Sequence, residues 1–250
     1  MSLMDKVRVN THYTRSVNLE RDTDSLTVIE AYIPTSTALR TLHRMADALK
    51  ADEHPRAWSL VGPYGSGKSS YAIFLAHLLG HPGAVTTKAA NRILTQAENT
   101  AGLAAKFTSM TQAGEGYCTV LITGSSESLA RRLVRTLAAQ AREIWARRKE
   151  PAPSIVNRLL RLAAQSGPPA TSDILDCIQE LQTAMAAIWY SGLLIVIDEL
   201  GKFLEYEARH HGSRLGPDAG SGDIYLLQAL AEHALTPQKE QMGKSKWGQV

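Results

Sequence analysis

Cysteine is close to absent from this chain. Its 250 residues hold two, Cys118 and Cys177, which form neither a disulfide framework nor a metal-ligand pattern. A small stapled secretory fold is therefore excluded, and the reducing cytoplasm is the expected compartment. Long apolar runs are missing too. The longest, Leu193-Leu194-Ile195-Val196-Ile197, is strand-sized and far short of the roughly 20 residues of a bilayer-crossing helix, so no membrane partner is expected. The opening Met1-Ser2-Leu3-Met4-Asp5-Lys6 lacks the apolar region of a signal peptide. Net charge is small, at +3, but unevenly placed. Residues 131–161, from Arg131 to Arg161, carry nine basic side chains against two acidic ones. Such a lobe can bind nucleic acid or an acidic protein partner, and its plainer use is as the solvated face of a helix.

What is present is apolar substance and a glycine-rich loop. Hydrophobic residues make up 44% of the chain, enough for the core of one large domain. Gly62-Pro63-Tyr64-Gly65-Ser66-Gly67-Lys68-Ser69 fits G-x-x-x-x-G-K-[ST], the P-loop or Walker A pattern. Ala57-Trp58-Ser59-Leu60-Val61 before it reads as a buried strand. Tyr71, Phe74, Leu75, Leu78 and Leu79 after it recur at helical spacing, and Gly80-His81-Pro82-Gly83 ends them. Glycines let the backbone wrap an anion closely, and the free N–H groups of a helix start point at it. The nucleotide site would thus run from Gly62 to Ser70, with Lys68 on the β- and γ-phosphates and the Ser69 hydroxyl on Mg²⁺.

Elsewhere strands and helices alternate. Residues 28–33 suggest a short strand, and Pro34 breaks it. Thr35 or Ser36 caps a helix striped with Leu39, Leu42, Met45, Ala46 and Leu49. An alanine-rich helical stretch follows, broken near Gly102 and again at Gly114. Tyr117-Cys118-Thr119-Val120-Leu121-Ile122-Thr123 is a strand ended by Gly124. Ser125 or Ser126 is expected to start a long helix, and two further helices reach Tyr190. The run 193–197 has the unbroken apolar character of a central parallel strand. It ends in Asp198-Glu199, the Walker B pattern. One carboxylate there can hold the hydration shell of the metal bound by Ser69, and the next can orient an attacking water. Asp223 is expected to cap the helix bearing Ile224, Leu227 and Leu230.

Together, Gly62 to Ser69 and Ile195-Val196-Ile197-Asp198-Glu199 resemble the P-loop ATPases with an additional strand and a catalytic glutamate, the group holding the AAA+ and STAND ATPases. The longer strings from Trp58 to Ser70 and from Ile197 to Glu205 resemble large bacterial ATP-binding proteins, some associated with defence against phage. The resemblance covers residues 30–235 and implies catalytic roles for Lys68 and Glu199, with Ser69 and Asp198 on the metal. The implied fold is a three-layer α/β/α P-loop NTPase with a mostly parallel sheet. Residues 1–34 would be an extension, 35–235 the ATPase domain with helical insertions at about 84–116 and 126–190, and 236–250 a polar tail.

In AAA+-type relatives a strand would follow residue 235 and lie between the two motif strands. The tail has no apolar run to supply it, so the sheet is expected to be incomplete at the C-terminus. The chain would then be a truncated product, a homo-oligomer subunit or part of a larger complex. The implied function is ATP binding with Mg²⁺-dependent hydrolysis that drives a conformational change. The alternative is a nucleotide-gated DNA- or partner-binding scaffold with little hydrolysis. A P-loop kinase fits the paired acids poorly. Lys68 within the loop excludes a Rossmann dehydrogenase, and the missing N-K-x-D motif leans away from GTP.

Overall fold

The computed structural model describes residues 16–50, 56–97, 100, 102–211 and 222–235. Its centre is a parallel pair of strands, β1 (Gly116–Thr123) and β2 (Tyr190–Asp198), in register from Tyr117 opposite Gly192 to Thr123 opposite Asp198. Parallel strands need a crossover. Here it consists of α6 (Leu129–Arg148), α7 (Ser154–Ala163) and α8 (Thr171–Ala186).

Because strand side chains alternate, each face of the pair feeds its own core. Cys118, Val120 and Ile122 join Leu193, Ile195 and Ile197 in a cluster with α6, α7 and α8, closed by Phe203 and Leu226. Those last two belong to α9 (Leu200–His211) and α10 (Asp223–Leu235). Tyr117, Leu121, Leu194 and Val196 enter a second cluster on the opposite face. It is built from α1 (Leu26–Glu30), α2 (Ser36–Lys50), α3 (Lys68–Leu78), α4 (Val85–Gln96) and α5 (Leu103–Thr111). Two covered faces explain why β2 reads as an unbroken apolar run. The chain is thus a helix-rich α/β fold around a small parallel sheet. Among the described residues no helix is long and apolar enough to cross a membrane.

Several local expectations hold. The α2 stripe is buried at Leu42, Met45 and Ala46, and Thr35 Oγ1 accepts the Ala38 N–H at 3.2 Å. Three expectations need correction. Residues 28–33 are not a strand: Ser25 Oγ accepts the Val28 N–H and starts α1, which buries Ile29 and is followed by Tyr32 stacked on Phe74. A short apolar run serves a buried helix turn as well as a strand. The α6 helix starts later than expected, with Ser128 at its cap position. Most consequential, residues 57–61 form no strand, and Leu60 and Val61 are 41% and 94% exposed. A strand exists through its ladder, and among the described residues no neighbour is in place to pair with this segment. Among the described residues β2 pairs with β1 alone, and it is only half-buried along its whole length. The far edge of β1 is better covered, since Leu79 O accepts the Tyr117 N–H and Glu20 Oε1 accepts that of Thr123. Residues 236–250, where a missing strand was sought, lie outside the described residues.

Candidate functional site

The glycine loop stands on α3, whose residues from Tyr71 to Leu78 are almost all buried, so its base is held by the core. The loop itself, Gly62 to Gly67, is exposed. Gly65 and Gly67 have φ of 78° and 83°, in the left-handed region that side chains disfavour. Gly67 is also the N-cap of α3, with no side chain in the way, and its carbonyl accepts the first helical bond from the Tyr71 N–H at 2.9 Å. The N–H groups of Lys68, Ser69 and Ser70 therefore open the helix without intrahelical partners, an arrangement suited to an anion. Pro63 O accepts the Ser66 N–H and closes the turn that presents Tyr64, whose hydroxyl lies 3.0 Å from Ser16 Oγ. Lys68 folds back over the loop, its ammonium donating to Gly62 O at 3.0 Å and Pro63 O at 2.9 Å.

The carboxyl end of β2 meets this loop. Ser69 Oγ donates to Asp198 Oδ2 at 2.5 Å, joining positions 129 residues apart. The other oxygen, Oδ1, accepts the Glu199 N–H at 2.9 Å, so the carboxylate is held at both atoms. Glu199 itself takes φ of 52°, rare for a residue with a side chain, and its carbonyl receives the Lys202 N–H as α9 begins. Its carboxylate pairs with the Lys202 ammonium, and that contact raises the lysine pKa above its ordinary value. Gly124 donates its N–H to Asp198 O, and a Cβ on it would lie 2.2 Å from Glu199 O. The turn after β1 must therefore be glycine for Glu199 to sit where it does.

A rim of charge surrounds the strand ends. Glu20 accepts the Thr123 N–H with one oxygen and binds Arg132 with the other, and Glu127 pairs with both Arg132 and Arg135. Thr123 Oγ1, opposite Asp198 in the ladder, is buried without a hydrogen-bond partner among the described residues.

A hydroxyl and a carboxylate are hard oxygen donors that suit Mg²⁺, which binds through one or two carboxylates plus phosphate oxygens rather than in an all-protein cage. Among the described residues no group of three or more His, Cys, Asp or Glu could hold a metal by itself. The donor set therefore fits a magnesium ion carried with a phosphate ligand.

The structure brings Ser69, Asp198 and the glycine loop together and sets Glu199 beside them. Glu20, Gly124 and Lys202 were not legible as site residues. A glycine after a strand signals only a turn, and the reach of Glu20 spans 103 residues to Thr123. The basic segment is more balanced than its sequence suggests: Arg132, Arg135, Arg147, Arg148 and Arg158 each meet a carboxylate. Comparisons with protein-family models, with curated proteins and with solved structures give no match to this chain, so the site is read from its own chemistry.

Proposed function

We propose that this chain is a P-loop ATPase of three-layer α/β/α design that binds ATP with Mg²⁺ and hydrolyses it. The observation that carries this reading is the Ser69–Asp198 contact. A glycine loop alone can hold any anion. A helix-start hydroxyl touching a strand-end carboxylate is the pair of oxygens that a nucleotide-bound magnesium requires.

In this reading the N–H groups from Gly65 to Ser70 surround the phosphates, and Lys68 leaves the carbonyls of Gly62 and Pro63 for the β- and γ-phosphate oxygens. Ser69 and Asp198 would hold Mg²⁺, which supplies charge neutralisation on the phosphates. Glu199 orients a water for attack on the γ-phosphorus and accepts its proton. The bond to the β–γ bridging oxygen breaks, ADP leaves with the electron pair, and phosphate is released. A change at the Asp198–Glu199 turn passes to α9, which begins there, and through Gly124 to the turn before α6.

A second reading, a nucleotide-gated scaffold with little hydrolysis, is favoured by the pairing of Glu199 with Lys202, since a neutralised carboxylate is a poor base. Binding of a fluorescent ATP analogue with Mg²⁺ tests the shared premise. Lys68→Ala is expected to abolish binding while leaving the circular dichroism unchanged, because this side chain belongs to neither hydrophobic cluster. Equal affinity in wild type and variant would remove the nucleotide assignment.

A further inference from the structure

Lys202 is a charged neighbour of this site that the proposed reaction leaves without a role. It stands in the first turn of α9, and its ammonium pairs with Glu199. The helix does not favour a cation there, because the first turn faces the positive end of the helix dipole. Glutamate and lysine three residues apart are a common surface pair. This pair differs in its setting. Glu199 follows Asp198, whose carboxylate meets Ser69 at the base of the glycine loop, so the Lys202 ammonium is paired with a residue at the junction of the two halves of the site.

We infer that Lys202 is a terminal-phosphate ligand that neutralises Glu199 while the loop is empty and passes to the γ-phosphate of a bound triphosphate, releasing Glu199. The inference rests on the nucleotide reading above. Its physical basis is exchange between acceptors. The side chains of Glu199 and Lys202 are 43% and 55% exposed, so water screens their attraction and the bond is readily traded. A terminal phosphate offers more negative charge than a carboxylate and three acceptor oxygens. A diphosphate ends one group earlier and gives Lys202 nothing to reach. Lys202 would thus couple recognition of the triphosphate to freeing of the water-orienting base, and hydrolysis would return it to Glu199.

Calorimetric titration of the full chain with Mg²⁺ tests this, using ADP and a non-hydrolysable ATP analogue in parallel. Lys202→Met is expected to weaken the triphosphate analogue about tenfold, the loss of one charged contact, and to change ADP by less than about twofold. Lys202→Arg, which keeps the charge, retains most of the difference. Glu199→Gln removes the competing negative charge and leaves only a neutral amide oxygen, so it should tighten analogue binding when Lys202 is present and have no effect in the Lys202→Met background. If Lys202→Met alters both nucleotides equally or neither, or Glu199→Gln acts alike in both backgrounds, the exchange is overturned while nucleotide binding stands. If wild type binds neither nucleotide, the underlying reading falls and this inference with it.

Discussion

Asp198 and Glu199 are consecutive in the chain, yet their surroundings hold them in different ways. Asp198 has both oxygens engaged, one by the Ser69 hydroxyl and one by the next backbone N–H, so its direction is set. Glu199 is held mainly through its backbone, in a left-handed conformation tucked against Gly124. Strain of this kind costs on the order of 1–3 kcal/mol and survives only where neighbours impose it. Gly124→Ala is therefore expected to push Glu199 away and reduce ATP turnover toward that of Glu199→Gln, a loss of about 10² to 10⁴ if Glu199 is the base. Nucleotide affinity, which depends on the glycine loop, should change little. Steady-state phosphate release beside equilibrium binding checks this; full turnover in Gly124→Ala would show that the close approach is not needed.

At the scale of elements, α10 holds α6 in an unexpected way. Asp223 was expected to cap its own helix. Instead its buried carboxylate accepts the N–H groups of Leu129 at 2.9 Å and Ala130 at 3.3 Å, with the Ser128 hydroxyl also at 3.3 Å. Its own N–H donates to Glu207 Oε1 of α9 at 2.8 Å. One residue, through its side chain and its backbone N–H, thus ties three helices beside the turn that follows β1. Asp223→Ala leaves two buried donors unmet and should destabilise the fold by about 1–3 kcal/mol, with Asp223→Asn intermediate because it keeps one acceptor oxygen. Urea unfolding followed by circular dichroism measures this, and an unchanged midpoint in Asp223→Ala would refute the tie.

Across the molecule, two hydrophobic clusters share a sheet that is two strands wide among the described residues, and His77 stitches part of one together. Its Nε2 donates to Thr23 O at 2.6 Å, fastening α3 to the segment before α1. Burial lowers its pKa below 6.5, opposed in part by that bond and by Asp24. His233, packed beside Gln182, is lowered by burial as well. A lowered histidine pKa means that the unfolded chain takes up the proton first. Its contribution to stability is whole above pH 6.5 and is lost as pH falls toward the folded-state value. The urea midpoint should therefore drop between pH 7.5 and 5.5, and His77→Gln, which keeps a donor but does not titrate, should lessen the drop. A wild-type midpoint that does not move over this range contradicts the assignment.

The sequence by itself determined what depends on a few adjacent residues. The left-handed glycines of the loop, the helix that starts at Lys68, the apolar stripe of α2 and the two strands 117–123 and 193–197 all follow from local backbone preference and periodicity. The roles proposed for Lys68, Ser69, Asp198 and Glu199 come from the sequence for the same reason, since each sits within a short pattern of fixed spacing. Tertiary structure alone decided the rest. Residues 57–61 have strand-like composition, but a ladder needs a partner in space and composition cannot supply one. Likewise Asp223 caps a helix 94 residues away, and Arg132 spends its charge on Glu20, because a carboxylate answers to whichever donors the fold brings within about 3 Å.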